Sequence, residues 1–212
     1  MKYRFLLYLA AAACFVLPSC QKAEEKSDQT LVERALADFE KKKYAEALTK
    51  LQEAEKATPD DPFILNLIGA AYTKQKDYAN AKTYFDKSLA LNPDFFPARF
   101  NVGEILFLQK QYPQALGFFT DMLRQAPGNE LLQFKVVLSL IMTDQVDDAR
   151  KLANRMKFPG DGPAWYYAHA AVARKENQKS KASEYLAGAR NFFPNQISLY
   201  NETFEDLGWP TK

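Results

Sequence analysis

One histidine, His169, and two cysteines, Cys14 and Cys20, are the only imidazole and thiol groups in the 212 residues. Nucleophilic catalysis on the usual pattern sets a nucleophile within hydrogen-bond reach of a base, and a structural zinc site takes four Cys or His ligands. A histidine-based triad or dyad, a Cys/His zinc site and a disulfide scaffold are therefore not expected. Gly160-Asp161-Gly162 is too short and too closely flanked by proline to cradle a phosphate, which takes a longer glycine motif entering a helix. No cofactor and no metal is expected. The 26 acidic residues fall mostly on faces expected to be solvated, although two carboxylates can meet in space without a trace in the sequence. A formal charge of +2 supplies no basic field for nucleic acid. The expectation is a protein that is not an enzyme.

The N-terminus carries a different kind of chemistry. Lys2 and Arg4 precede an apolar run from Phe5 to Leu17, shorter than the roughly 20 residues a bilayer span requires and suited to the apolar region of a secretory signal. Leu17-Pro18-Ser19-Cys20 then resembles the lipobox of bacterial lipoproteins, with Pro18 departing from the usual small residue. The resemblance implies a signal peptide over 1–19, lipidation of Cys20 and, with no Asp after the cysteine, an outer-membrane destination facing the periplasm. More than one acyl chain makes such an anchor stable. The alternative is an ordinary signal peptide cut near Ala10–Ala13, which leaves Cys20 as a thiol. Residues 20–27 are polar and predict a short tether.

The remainder is periodic. Pro59, Pro93 and Pro127 stand 34 residues apart, and Pro194 follows after 67. Ala47, Ala81, Ala115 and Ala149 keep the same spacing of 34, and Ala182 follows after 33. Tyr44, Tyr78 and Tyr112 precede three of these alanines, and Leu51, Phe85, Phe119, Ala153 and Leu186 follow all five. Such a period marks stacked supersecondary units. The residues that carry it resemble the tetratricopeptide repeat. Leu65, Ile68-Gly69, Tyr72, Ala81, Phe85 and Pro93 occupy its signature positions in the second unit, and Gly103, Ala115, Phe119 and Pro127 in the third. The first unit keeps Ala35, Ala47, Ala54 and Pro59 but has Asp38 where an aromatic ring is usual. The fifth has Ala170, Ala182, Ala189 and Pro194.

The expected fold is all-α: an α-solenoid of about five helix-turn-helix repeats, with a C-terminal capping helix. The units are 28–61, 62–95, 96–129, 130–162 and 163–196, and residues 197–212 form the cap and tail. Asp61-Pro62 reads as a capped helix start. Residues 158–163, with two glycines and two prolines, predict an irregular joint. His169 stands where sister units have core leucines, so packing is its expected role.

In the tetratricopeptide family the first helix of each unit lines a groove that holds a partner. Carried onto this sequence, that implies Phe63 and Asn66 in the second unit, and Phe100, Asn101, Glu104 and Phe107 in the third. Phe134 and Lys135 follow in the fourth, and Tyr167 and Arg174 in the fifth. The Lys/Asn/Arg clamp by which some members grip a terminal carboxylate is absent. The lining is apolar and aromatic, suited to an amphipathic helix or an extended apolar peptide. The competing expectation is that these rings pack within the stack, or that the tether or the C-terminal cap folds over them. If they face a partner, Phe100→Asp with Phe134→Asp abolishes binding and leaves helical content near normal.

Residues 150–190 hold nine Lys and Arg against three acids. That balance suits a solvated face, or alternatively an acidic partner or anionic lipid headgroups. Together these features predict a membrane-anchored, non-catalytic scaffold for a protein or peptide partner, with a periplasmic carrier of a small apolar ligand or lipid as the alternative. Envelope lipoproteins of similar layout help assemble outer-membrane barrels or pili, and the shared motifs do not choose between those jobs.

Overall fold

The computed structural model describes residues 22–211; the signal segment, the lipobox and Cys20 lie outside the described residues. Among the described residues there are eleven helices and no strand: α1 (Lys22–Glu40), α2 (Tyr44–Ala57), α3 (Pro62–Lys74), α4 (Tyr78–Leu91), α5 (Phe96–Leu108), α6 (Tyr112–Gln125), α7 (Glu130–Met142), α8 (Val146–Arg155), α9 (Ala164–Lys175), α10 (Lys179–Phe192) and α11 (Ser198–Asp206). The chain is all-α and built of helix pairs, the architecture that the 34-residue period predicts. One difference lies at the start, where α1 begins at Lys22, inside the segment expected to be a tether. Lys22-Ala23-Glu24-Glu25-Lys26 consists of strong helix formers, so the helix of the first repeat extends backward through it.

The turn inside every pair contains one residue in the left-handed region: Lys42 (φ 59°), Lys76 (63°), Lys110 (61°), Asp144 (64°) and Asn177 (61°). The residue after each donates its N–H to a carbonyl five positions back, as in Asp77 to Tyr72 at 3.0 Å and Gln111 to Leu106 at 2.8 Å. That bond closes the first helix of the pair and sets the second beside it. An L residue pays roughly 1–2 kcal/mol for this conformation. Lys76→Gly and Lys110→Gly are therefore each expected to raise the unfolding free energy by about 0.5–1 kcal/mol, after the added freedom of the unfolded chain is deducted. Urea titration checks this, and a drop in stability would mean that the lysine side chain itself matters there.

Helix starts are capped where the sequence allows it. Asp61 accepts from the Phe63 N–H at 2.7 Å with Pro62 in the first turn, and Asn129 accepts from the Leu132 N–H at 3.0 Å. The chain divides into two compact units within α5, at Ile105 and Leu106. In the first unit, Ala35, Ala47, Leu51, Ala54, Ile64, Leu67, Ile68 and Ala71 form one core cluster. A second gathers Ala81, Phe85, Ala98 and Ile105. Gly69 fits under the Phe85 ring, since a Cβ on it would stand 2.5 Å from a ring carbon. Helix α3 can therefore approach α4 only with glycine at this position.

In the second unit Ala115, Phe119 and Met122 of α6 are buried, as are Leu132, Val137, Leu138 and Ile141 of α7 and Ala164, Ala168 and Ala171 of α9. The expected joint at 158–163 is the irregular connection between α8 and α9. Glu130, in the first turn of α7, holds it by accepting from the N–H groups of Asp161 at 2.9 Å and Gly162 at 3.2 Å. Two backbone donors that no helix satisfies thus meet a carboxylate.

Candidate functional site

The first-helix face of the second unit is occupied by the chain's own C-terminus. Helix α11 buries Tyr200, Thr203 and Phe204. Their rings meet those of α7 and α9: Phe134 lies 5.0 Å from Tyr200 and 6.4 Å from Phe204, and Tyr167 lies 5.0 Å from Tyr200 and 5.2 Å from Phe204. Phe134 and Tyr167 also meet each other at 6.2 Å. All four are packed as in a protein interior, and Phe134 and Tyr167 have no exposed surface.

Polar groups follow the same arrangement. Lys135 is fully buried and its Nζ donates to Thr203 Oγ1 at 3.0 Å, while that hydroxyl donates to the Leu199 carbonyl at 3.0 Å. The ammonium also stands 5.7 Å from the centre of the Phe107 ring, which is itself buried against Tyr112. The Tyr167 hydroxyl donates to Asn201 Oδ1, and burial pushes its pKa up to about 12. Past α11, Gly208 adopts φ 68° and turns the chain so that Trp209 packs on Phe204 at 5.3 Å. The Arg174 guanidinium lies 5.6 Å over the Trp209 ring, and Arg190 donates to the Thr211 carbonyl at 2.6 Å. Phe107, Phe134, Lys135, Tyr167 and Arg174 are thus brought together, with α11 and its tail laid over them. Sequence reasoning missed Tyr200, Asn201, Thr203 and Trp209. The i, i+3, i+4 spacing of Tyr200, Thr203 and Phe204 was the available signal.

The remaining candidates belong to the first unit. Asn101 Nδ2 donates to Asn66 Oδ1 at 2.9 Å, joining α5 to α3. Asn66 is fully buried, so a partner reaches it only by way of Asn101, which is half-buried. Phe63 and Glu104 are half-buried as well, and Phe100 is nearly buried, stacked on Phe96 at 6.1 Å. Of these, Phe63, Asn101 and Glu104 keep part of their surface open, while the Phe100 ring is buried.

His169 has the packing role expected of it. Its ring lies tilted against Trp165 with centres 4.0 Å apart, its Nδ1 lies 2.9 Å from the Trp165 carbonyl, and burial lowers its pKa. Among the described residues no cluster of three or more His, Cys, Asp or Glu side chains is arranged to hold a metal.

A tetratricopeptide repeat family model matches residues 62–95, and a second TPR repeat model matches residues 35–76. The chain carries tetratricopeptide repeats. Among proteins similar to it, the type IV pilus assembly protein PilF of Pseudomonas aeruginosa is 28% identical over 128 residues, which are 58% of this chain and 50% of that protein. Hsp70-Hsp90 organizing protein 3 of Arabidopsis thaliana is 29% identical over 92 residues, 43% of this chain and 16% of that protein. The chain therefore spans half or less of the length of these relatives. In fold it resembles a thermophilic TPR protein of Thermus thermophilus, with a TM-score of 0.69 and 20% identity over 85% of this chain and 98% of that one. It also resembles PilW, described as a type IV pilus biogenesis factor, with a TM-score of 0.63 and 21% identity over 86% of each chain.

Proposed function

We propose that this chain is a non-catalytic tetratricopeptide scaffold, held at a bacterial membrane through lipidated Cys20, that binds a polypeptide partner. The observation that carries this reading is α11. Seated through Tyr200, Thr203 and Phe204, it is an example within the chain of the ligand that a first-helix face accepts: a short amphipathic helix with rings one turn apart and a hydroxyl between them. The comparable face of α3 and α5 presents Phe63 and Asn101, both half-buried, and is the surface assigned to the partner. The likeness to PilF supports a place in bacterial envelope assembly. A carrier of small apolar ligands is disfavoured, because the rings it needs, Phe134 and Tyr167, are packed against α11.

Crosslinking the intact protein in its native membrane, followed by purification beside a Cys20→Ala control, tests the proposal. One abundant polypeptide, reduced in the control, is the expected result. Recovery of no polypeptide from either sample would overturn it.

A further inference from the structure

The second unit carries an aromatic surface apart from the first-helix face that α11 covers. Phe192 is 71% exposed and Phe158 is 58% exposed, two of the three large apolar side chains left open to water among the described residues. They come from different segments, the end of α10 and the α8–α9 connection, yet both pack on Tyr166: Phe158 at 6.0 Å, and Phe192 at 6.1 Å with the rings nearly parallel. Phe193 meets Tyr166 at 6.1 Å, and Trp165 meets Phe158 at 4.4 Å. Gly188 makes room for this, since a Cβ there would lie 2.5 Å from the Tyr166 ring. Five rings thus form one continuous patch on an edge of the unit, and contiguous exposed apolar surface of this kind marks an interaction site.

The charge around the patch indicates what it meets. Lys157 adjoins Phe158 with its side chain 68% exposed, Arg155 is exposed two residues before it, and Lys181 is exposed near His169, whose ring lies beside Trp165. Asp161, 3.5 Å from the Lys157 ammonium, and Glu184 are exposed in the same region, while Arg150, Lys151 and Lys175 are paired with Asp147, Asp148 and Asp144 and do not count toward the patch. Lysine is depleted at the centre of protein interfaces. Trp, Tyr and Phe beside Lys and Arg are instead the composition that settles at the headgroup level of a bilayer, rings in the interface and cations on lipid phosphates. We propose that the face formed by Phe158, Trp165, Tyr166, Phe192 and Phe193 docks on an anionic lipid surface. This is independent of the partner assigned to α3 and α5 and of the state of Cys20.

The test uses residues 20–212 with Cys20→Ser, which retain every described helix and carry no acyl chain, and Trp209→Phe, so that Trp165 is the one tryptophan left. Cosedimentation with vesicles of phosphatidylcholine containing phosphatidylglycerol is expected to be at least about tenfold tighter than with phosphatidylcholine alone, weakening as salt is added. Trp165 emission should shift to the blue and be quenched by brominated acyl chains. Phe158→Ser with Phe192→Ser, at positions already exposed, is expected to reduce binding about tenfold or more with unchanged circular dichroism. If that variant misfolds, Lys157→Glu with Lys181→Glu takes its place and must weaken binding in the same way. Absence of binding to anionic vesicles at low salt, equal binding by the folded variants, or a polypeptide partner crosslinked to these rings would overturn the proposal.

Discussion

Deleting residues 197–212 is expected to destabilise the second unit by roughly 3–6 kcal/mol. Tyr200 and Phe204 are both buried, and full burial of a ring of this size is worth about 1.5–3 kcal/mol. The truncation also opens Phe134 and Tyr167 to water, and it leaves Lys135 without Thr203 and Tyr167 without Asn201. Because Trp209 is removed with the tail, Trp165 alone reports unfolding in urea. A peptide of residues 197–211 supplied in trans should recover part of the loss, as any ligand of the folded state does. A change below about 1 kcal/mol would show that α11 adds little to the packing of α7 and α9.

The second large effect is at Phe134. It touches Tyr167, Tyr200 and Phe204 and has no exposed surface, so Phe134→Ala should cost about 3–5 kcal/mol. Phe134→Asp places a carboxylate in the same apolar site and costs more. Phe63→Ala, at a half-buried ring, should cost about 1 kcal/mol. Denaturant midpoints of the two alanine variants measure the contrast, and equal losses would mean that the ring cluster is not a core. For the same reason Phe100→Asp with Phe134→Asp tests folding of the second unit instead of binding. Substitutions that report on a partner belong at Phe63 and Asn101.

How much of this was legible in the sequence differs from element to element. The helix pairs were, because Ala47, Ala81, Ala115, Ala149 and Ala182 must be small where two helices cross, and that requirement recurs at every repeat. The Asp61-Pro62 start and the interruption at 158–163 were legible too, since a cap and a Pro/Gly cluster act locally. The left-handed turns were not, because Lys42, Lys76 and Lys110 stand where glycine would have signalled them.

The candidate site was legible only as a set of directions. Repeat position places Phe134, Lys135 and Tyr167 on first helices, where the resemblance implies a groove lining, and in the structure each packs against α11. What covers them depends on a helix 68 residues beyond Lys135, and no local pattern encodes that pairing. The aromatic patch escaped for a similar reason. Phe158, Tyr166 and Phe192 belong to three segments, and each alone looks like an ordinary exposed or core ring.

The most direct measurement is site-specific photocrosslinking in native membranes, with benzoylphenylalanine placed in turn at Phe63, Asn101 and Asn201. A scaffold that uses its α3–α5 face should give one polypeptide adduct of the same mass from positions 63 and 101. From position 201, where α11 meets Tyr167, crosslinks within the chain should form instead. An adduct to a foreign polypeptide from 201 alone, with none from 63 or 101, would contradict the assignment of that face.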